Sequence, residues 1–148
     1  MKNLKIRNSI SLLFAFLMFI FLMVSCGKKE VKPVSEDSKI ALEAFRLADT
    51  LKEGYIKNDG AILEKNSTKD GYKEIVEARK SFDSAELSFT PRWVEIEGST
   101  VNLHVVWNGT WTARGKKIED RGLAVFVMEG RPLKLARVLR ANPFKQPE

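Results

Sequence analysis

The sequence predicts an α+β fold, with N-terminal helices packed on a curved antiparallel sheet. Three observations predict it. Apolar residues recur at helical spacing before Phe82, the period changes to two after it, and glycine-containing turns cut the remainder into strands of a meander.

The chain opens with a targeting pattern. Residues 1–7 carry Lys2, Lys5 and Arg7 and no acid, and residues 10–24, ISLLFAFLMFIFLMV, carry no charge. That uncharged run of 15 residues falls short of the ~20 that span a bilayer, and small Ser25 follows. Residues 1–25 therefore read as a signal peptide. Met23-Val24-Ser25-Cys26 resembles the lipobox of bacterial lipoproteins, with Met where Leu is commoner. The resemblance implies that Cys26 receives a diacylglyceryl group and becomes the N-terminus after cleavage; an ordinary secretory signal with an incidental cysteine is the alternative. Cys26 is the only cysteine and His104 the only histidine, so neither an intramolecular disulfide nor a clustered metal site is available to them. Several acyl chains on one residue make a stable anchor, each buried methylene contributing ~0.8 kcal/mol.

Residues 26–38 continue as the lipidated cysteine and a polar tether containing Pro33, and residues 39–148 form one domain. Removing residues 1–25 takes three of the 25 basic residues and none of the 19 acidic ones, which lowers the net charge from +6 to +3. With both signs interspersed, this is a solvated surface and not a nucleic-acid footprint.

Ile40, Ala44, Leu47, Ala48, Leu51 and Tyr55 mark one face of a first helix, with Ser35, Asp37 and Ser38 as cap candidates. Asn58-Asp59-Gly60 breaks it and starts a short second helix through Ala61, Ile62 and Leu63. Ser67-Thr68-Lys69-Asp70 resembles a capping box, with Asp for the usual Glu or Gln, opening a third helix that carries Tyr72, Ile75, Val76 and Arg79. A first strand alternates through Ala85, Leu87 and Phe89 and resumes at Trp93, with Pro91 at an edge or a bulge. The second strand alternates Val101, Leu103, Val105 and Trp107 with Asn102, His104, Val106 and Asn108. Residues 122–128 form a third strand, apolar on both faces, and residues 133–139 a fourth.

This order, with the textures AFRLADTLKEGYIKND, VVWNGTWT and DRGLAVFVMEGRPLKLARV, resembles the cone-shaped superfamily of nuclear transport factor 2, the SnoaL-like proteins and ketosteroid isomerase. The resemblance implies a pocket between the concave sheet and the helices, and frequent dimerisation through the opposite sheet face. That suits the two-faced third strand, so a homodimer is expected.

Candidate ligand-binding residues are Trp107 and Trp111, which flank Gly109 on one strand face, Arg137 in the row Leu133, Leu135, Leu139, and Tyr55 and Tyr72 as hydroxyl donors. Core packing is the simpler role for the tryptophans. His104 falls on the outer face. Enzymes of the superfamily use an acid inside the cone, and the strand acids Glu86, Glu95, Glu97, Glu119 and Asp120 fall on polar sets or in turns, while Asp49 and Glu53 stay open as pocket residues. No catalytic residue, metal ligand or cofactor is assigned. The expected function is a membrane-anchored binding module of the cell envelope, holding a small molecule or a protein. The alternatives are a small SnoaL-type isomerase, dehydratase or hydrolase, and a structural protein acting by contacts only. Gly27, in place of a retaining Asp, points to the outer membrane in a two-membrane cell. Replacing Cys26 with Ser is expected to abolish metabolic palmitate labelling and to move the protein out of the membrane fraction on sedimentation.

Overall fold

Each helix starts where a short polar side chain accepts a hydrogen bond from a backbone N–H left free by the first turn. The computed structural model describes residues 34–146, so the expected signal peptide and Cys26 lie outside the described residues. Helix α1 (Glu36–Ile56) is capped by Ser35, whose Oγ accepts from Ser38 N at 3.2 Å. Its first turn takes in Glu36, Asp37 and Ser38, which the sequence had suggested for the tether. Asp59 caps α2 (Gly60–Lys65) by accepting from Ile62 N at 3.0 Å. The cap of α3 (Lys69–Ala78) is Thr68, one residue later than the capping-box pattern suggests, accepting from Gly71 N at 3.2 Å. Ser67 is instead buried and bridges in parallel to Leu135.

Strands β1 (Ser84–Glu97), β2 (Thr100–Ala113), β3 (Lys116–Glu129) and β4 (Lys134–Arg140) form one antiparallel sheet in the order β1-β2-β3-β4. The third strand is longer than the apolar run 122–128 because its polar half, residues 116–121, pairs along β2 from Ala113 to Asn108. Arg114 and Gly115 both take positive φ, 51° and 75°, the pattern of the two-residue hairpin turn whose twist matches the strands.

Two extra residues change which side chains face the helices. In β1 the register passes from Pro91↔Val105 to Trp93↔His104, leaving Arg92 as a bulge; in β4 it passes from Met128↔Leu135 to Val127↔Arg137, leaving Ala136 as a bulge. Because side chains alternate with a period of two, one extra residue reverses the alternation. Val94 and Ile96 thus turn to the core, and Trp93 and Glu95 turn outward.

The core lies between the concave sheet face and the helices. Leu47, Leu51 and Tyr55 of α1, Leu63 of α2 and Ile75 of α3 meet Val101, Leu103, Val105, Trp107 and Trp111 of β2 and Phe126 and Met128 of β3. The edge strand β4 is closed by the helical layer. Glu43 accepts from Leu133 N and Glu74 from Val138 N, both at 2.7 Å, while Thr68 N donates to Leu135 O and Leu135 N to Asn66 O. These contacts occupy backbone groups that an open edge would offer to another chain.

The α3–β4 junction allows no side chain at Gly71, where a Cβ would stand 2.1 Å from the Leu135 carbonyl oxygen. Replacing Gly71 with Ala forces this junction apart. A loss of about 1–3 kcal/mol in urea unfolding is expected, the range of overpacking substitutions.

Candidate functional site

The concave side is filled by aromatic rings. Tyr55, Trp107, Trp111, Phe126 and Phe144 are each at most 1% exposed. Tyr55 lies with its ring centroid 5.3 Å from those of both Phe82 and Phe144, Phe89 lies 5.4 Å from Phe126, and Phe126 and Phe144 stack at 5.9 Å and 19°. Such tilted and offset pairs suit the ring quadrupoles.

Two indole N–H groups in this layer find acceptors. Trp111 Nε1 donates to the Tyr55 hydroxyl at 3.0 Å, and Trp107 Nε1 donates to the Ala141 carbonyl at 3.0 Å. Burial pushes the Tyr55 phenol above its ordinary value of 10.0, against the opposing pull of the Trp111 N–H and the Arg79 charge. Tyr55 is therefore a neutral hydroxyl at physiological pH. Arg79 covers this end of the layer, its guanidinium 6.0 Å from the Tyr55 ring and 5.7 Å from the Phe82 ring, with a hydrogen bond to Asn58 Oδ1.

Of the five candidate residues, the fold brings Tyr55, Trp107 and Trp111 together and leaves the other two apart. The space over Gly109 is taken, since a Cβ there would stand 2.3 Å from Trp111 Cη2 and 2.8 Å from Leu87 Cδ2. The two indoles meet edge to face at 6.4 Å, with no slot between them. Tyr72 is half-buried at the core margin, its hydroxyl 3.5 Å from where a Gly60 Cβ would be. Arg137 does not lie in the row of Leu133 and Leu135 as the alternation suggested. The Ala136 bulge turns Arg137 and Leu139 outward and Val138 inward, and Arg137 is exposed.

The helix acids left open as pocket residues face solvent. Asp49 pairs with Lys52 at 2.8 Å and Glu53 with Lys57 at 3.2 Å. Among the described residues, the buried polar or charged side chains are Ser67 and Gln146, and no group of three His, Cys, Asp or Glu residues converges on a metal-sized site.

The outer sheet face carries a second cluster. Trp93 stacks on His104 at 4.2 Å and 19°, and its Nε1 donates to Glu95 Oε1 at 3.0 Å. The other Glu95 oxygen lies 3.4 Å from His104 Nε2, near enough to pair with a protonated ring. Trp93 first, and His104 second, hold the Glu95 carboxyl below its ordinary value. Register places Trp93, His104, Val125 and Leu139 in one row across the sheet, and Glu95, Asn102, Val127 and Arg137 in the next. Val125 and Val127 are covered by their neighbours, whereas Trp93 is 51%, Leu123 49% and Leu139 44% exposed.

Sequence reading missed Phe144, which no periodic pattern marks, and the Trp93 cluster, which depends on the bulge at Arg92.

No family model matches the sequence, and no curated protein matches it. Among solved structures, the chain is similar to a nuclear transport factor 2 (NTF2-like) superfamily protein from Salmonella enterica subsp. enterica serovar Typhimurium str. LT2, with a TM-score of 0.63 and 15% identity over 72% of this chain and 93% of that one. At that identity the likeness concerns fold, and the fold is NTF2-like: helices followed by a curved four-stranded antiparallel sheet.

Replacing Tyr55 with Phe leaves the Trp111 N–H buried without its acceptor. A loss of about 1–3 kcal/mol in urea unfolding is expected. The same variant reports on alkaline stability. Because the folded pKa of Tyr55 lies above 10.0, its contribution is complete below pH 10 and is lost as pH rises through the folded value. The wild type should lose stability on that rise more steeply than Tyr55→Phe.

Proposed function

We propose that this chain is a membrane-anchored module of the cell envelope that works by protein contact through the outer face of its sheet, first of all with a second copy of itself. The observation that carries the reading is the contrast between the two sheet faces. The concave face is filled by the chain's own rings, whereas the outer face presents Trp93, Leu123 and Leu139 to solvent, with an acid and a base at opposite ends of one register row.

That arrangement is self-complementary. Two sheets packed face to face about a two-fold axis along the strands place β1 of one copy over β4 of the other. Glu95 then faces the second copy's Arg137, and Trp93 faces its Leu139. The Arg137 side chain makes no ion pair or hydrogen bond among the described residues, so its guanidinium is available to the second copy.

The anchor in this reading is the acylated Cys26 behind the cleaved signal, in the outer membrane where a cell has two. The basic n-region, the 15-residue uncharged run and the lipobox-like MVSC support it. Among the described residues no helix is long and apolar enough to cross a membrane, and acyl chains would hold the domain without one. A small-molecule or SnoaL-type catalytic role would draw on the Tyr55 hydroxyl, the ionisable side chain in the ring layer.

Sedimentation equilibrium on residues 27–148 tests the contact. A dimer is expected. Arg137→Glu and Glu95→Arg should each weaken it at least tenfold, about 1.4 kcal/mol, and the double variant should recover part of the loss. A wild type that stays monomeric at high micromolar concentration rules the interface out.

A further inference from the structure

Two members of the ring layer lie outside helices and strands, Phe82 before β1 and Phe144 after β4, and of these Phe144 is the fully buried one. Tyr55 sits on α1, Phe89 on β1, Trp107 and Trp111 on β2 and Phe126 on β3. Phe144 arrives on an irregular segment that follows β4, and it is fully buried. Its ring contacts Tyr55 at 5.3 Å, Phe126 at 5.9 Å and Phe89 at 6.2 Å, so it occupies the centre of the concave side.

The segment carrying it is held as a strap. Ala141 N donates to Leu123 O at 3.1 Å, and the Ala141 carbonyl accepts from Trp107 Nε1 at 3.0 Å. The remaining bonds are internal to the strap: Phe144 N to Asn142 Oδ1 at 2.9 Å and Lys145 N to Asn142 O at 3.1 Å. The strap crosses the sheet over Gly122, where a Cβ would stand 2.7 Å from Ala141 Cβ and 3.1 Å from Trp107 Nε1. The absence of a side chain at Gly122 is what lets the segment lie down. Beside strands paired over as many as 14 register positions, the segment has one backbone bond to the sheet among the described residues, and the burial of Pro143, Phe144 and Gln146 supplies the rest of its hold.

We propose that residues 141–146 form a displaceable strap, and that Phe144 occupies, as an internal ligand, a ring-binding site on the concave face. With the strap lifted, Tyr55, Phe89 and Phe126 bound a space shaped for a planar apolar ring. Tyr55 accepts from Trp111 and keeps its own O–H hydrogen for the π face of such a ligand. An emptied apolar cavity of this kind stays dry and takes small aromatic molecules. The site concerns the face opposite the dimer contact proposed above, and its test is independent of that contact.

Indole serves as the probe, and hydrogen exchange on the unmodified mature chain is the first readout. The amides of Ala141 and Lys145 are expected to exchange at least 100-fold faster than those of Leu103 and Phe126, and faster again with millimolar indole. In the second readout Phe144→Ala, which vacates the site, binds indole at least tenfold more tightly than wild type by calorimetry. Gly122→Ala, which crowds Ala141 and the Trp107 indole edge and leaves Tyr55, Phe89 and Phe126 unaltered, should do the same. Strap amides that exchange only as slowly as those of β2 and β3 overturn the proposal, as does a folded Phe144→Ala that takes up no indole. If either variant fails to fold, exchange in the wild type still decides.

Discussion

Trp111 donates its indole N–H to the Tyr55 hydroxyl in the middle of an apolar layer, and this hydrogen bond ties the last turn of α1 to the far end of β2. Buried polar groups are costly unless paired, so the contact constrains geometry more than its net energy suggests. It fixes how far the helix stands from the sheet, and so how much room is left for Phe82, Phe89, Phe126 and Phe144 to fill. Burial in the same layer keeps the phenol neutral, and the two indoles meet edge to face while the Arg79 guanidinium lies over the Tyr55 and Phe82 rings.

The helical layer is joined to the sheet at its other margin by a different chemistry. There Glu43 and Glu74 accept backbone N–H groups of the β3–β4 turn and of β4, and Gly71 lets α3 touch β4 backbone to backbone. Charge-assisted bonds of this kind are shorter and stronger than neutral ones. Glu43 and Glu74 thus serve architecture, and the ionisable side chain of the ring layer is the Tyr55 hydroxyl.

The two faces of the sheet differ because two bulges reverse the alternation at opposite edges. At β1 the extra Arg92 turns Trp93 and Glu95 outward; at β4 the extra Ala136 turns Arg137 and Leu139 outward. Both changes enrich the outer face in groups able to recognise another surface, and both move branched aliphatic residues inward. A sheet with uninterrupted strands and the same sequence would bury Trp93 and Arg137 and expose Val94 and Val138.

Much of this protein was determined locally and is legible in the chain. The apolar stripe from Ile40 to Tyr55, the caps at Ser35 and Asp59, the odd-numbered set of β2 and the turn at Gly115 each depend on neighbours a few residues away, and the fold class follows from their order. Tertiary structure alone decided the rest. A bulge is set by pairing with another strand, so no pattern within residues 133–139 could turn Arg137 outward. The polar half of β3 is a strand because β2 continues beside it. Phe144 belongs to the core because Gly122 and Trp107, 22 and 37 residues earlier, leave it a place to lie, and contacts at that separation have no period from which to be read.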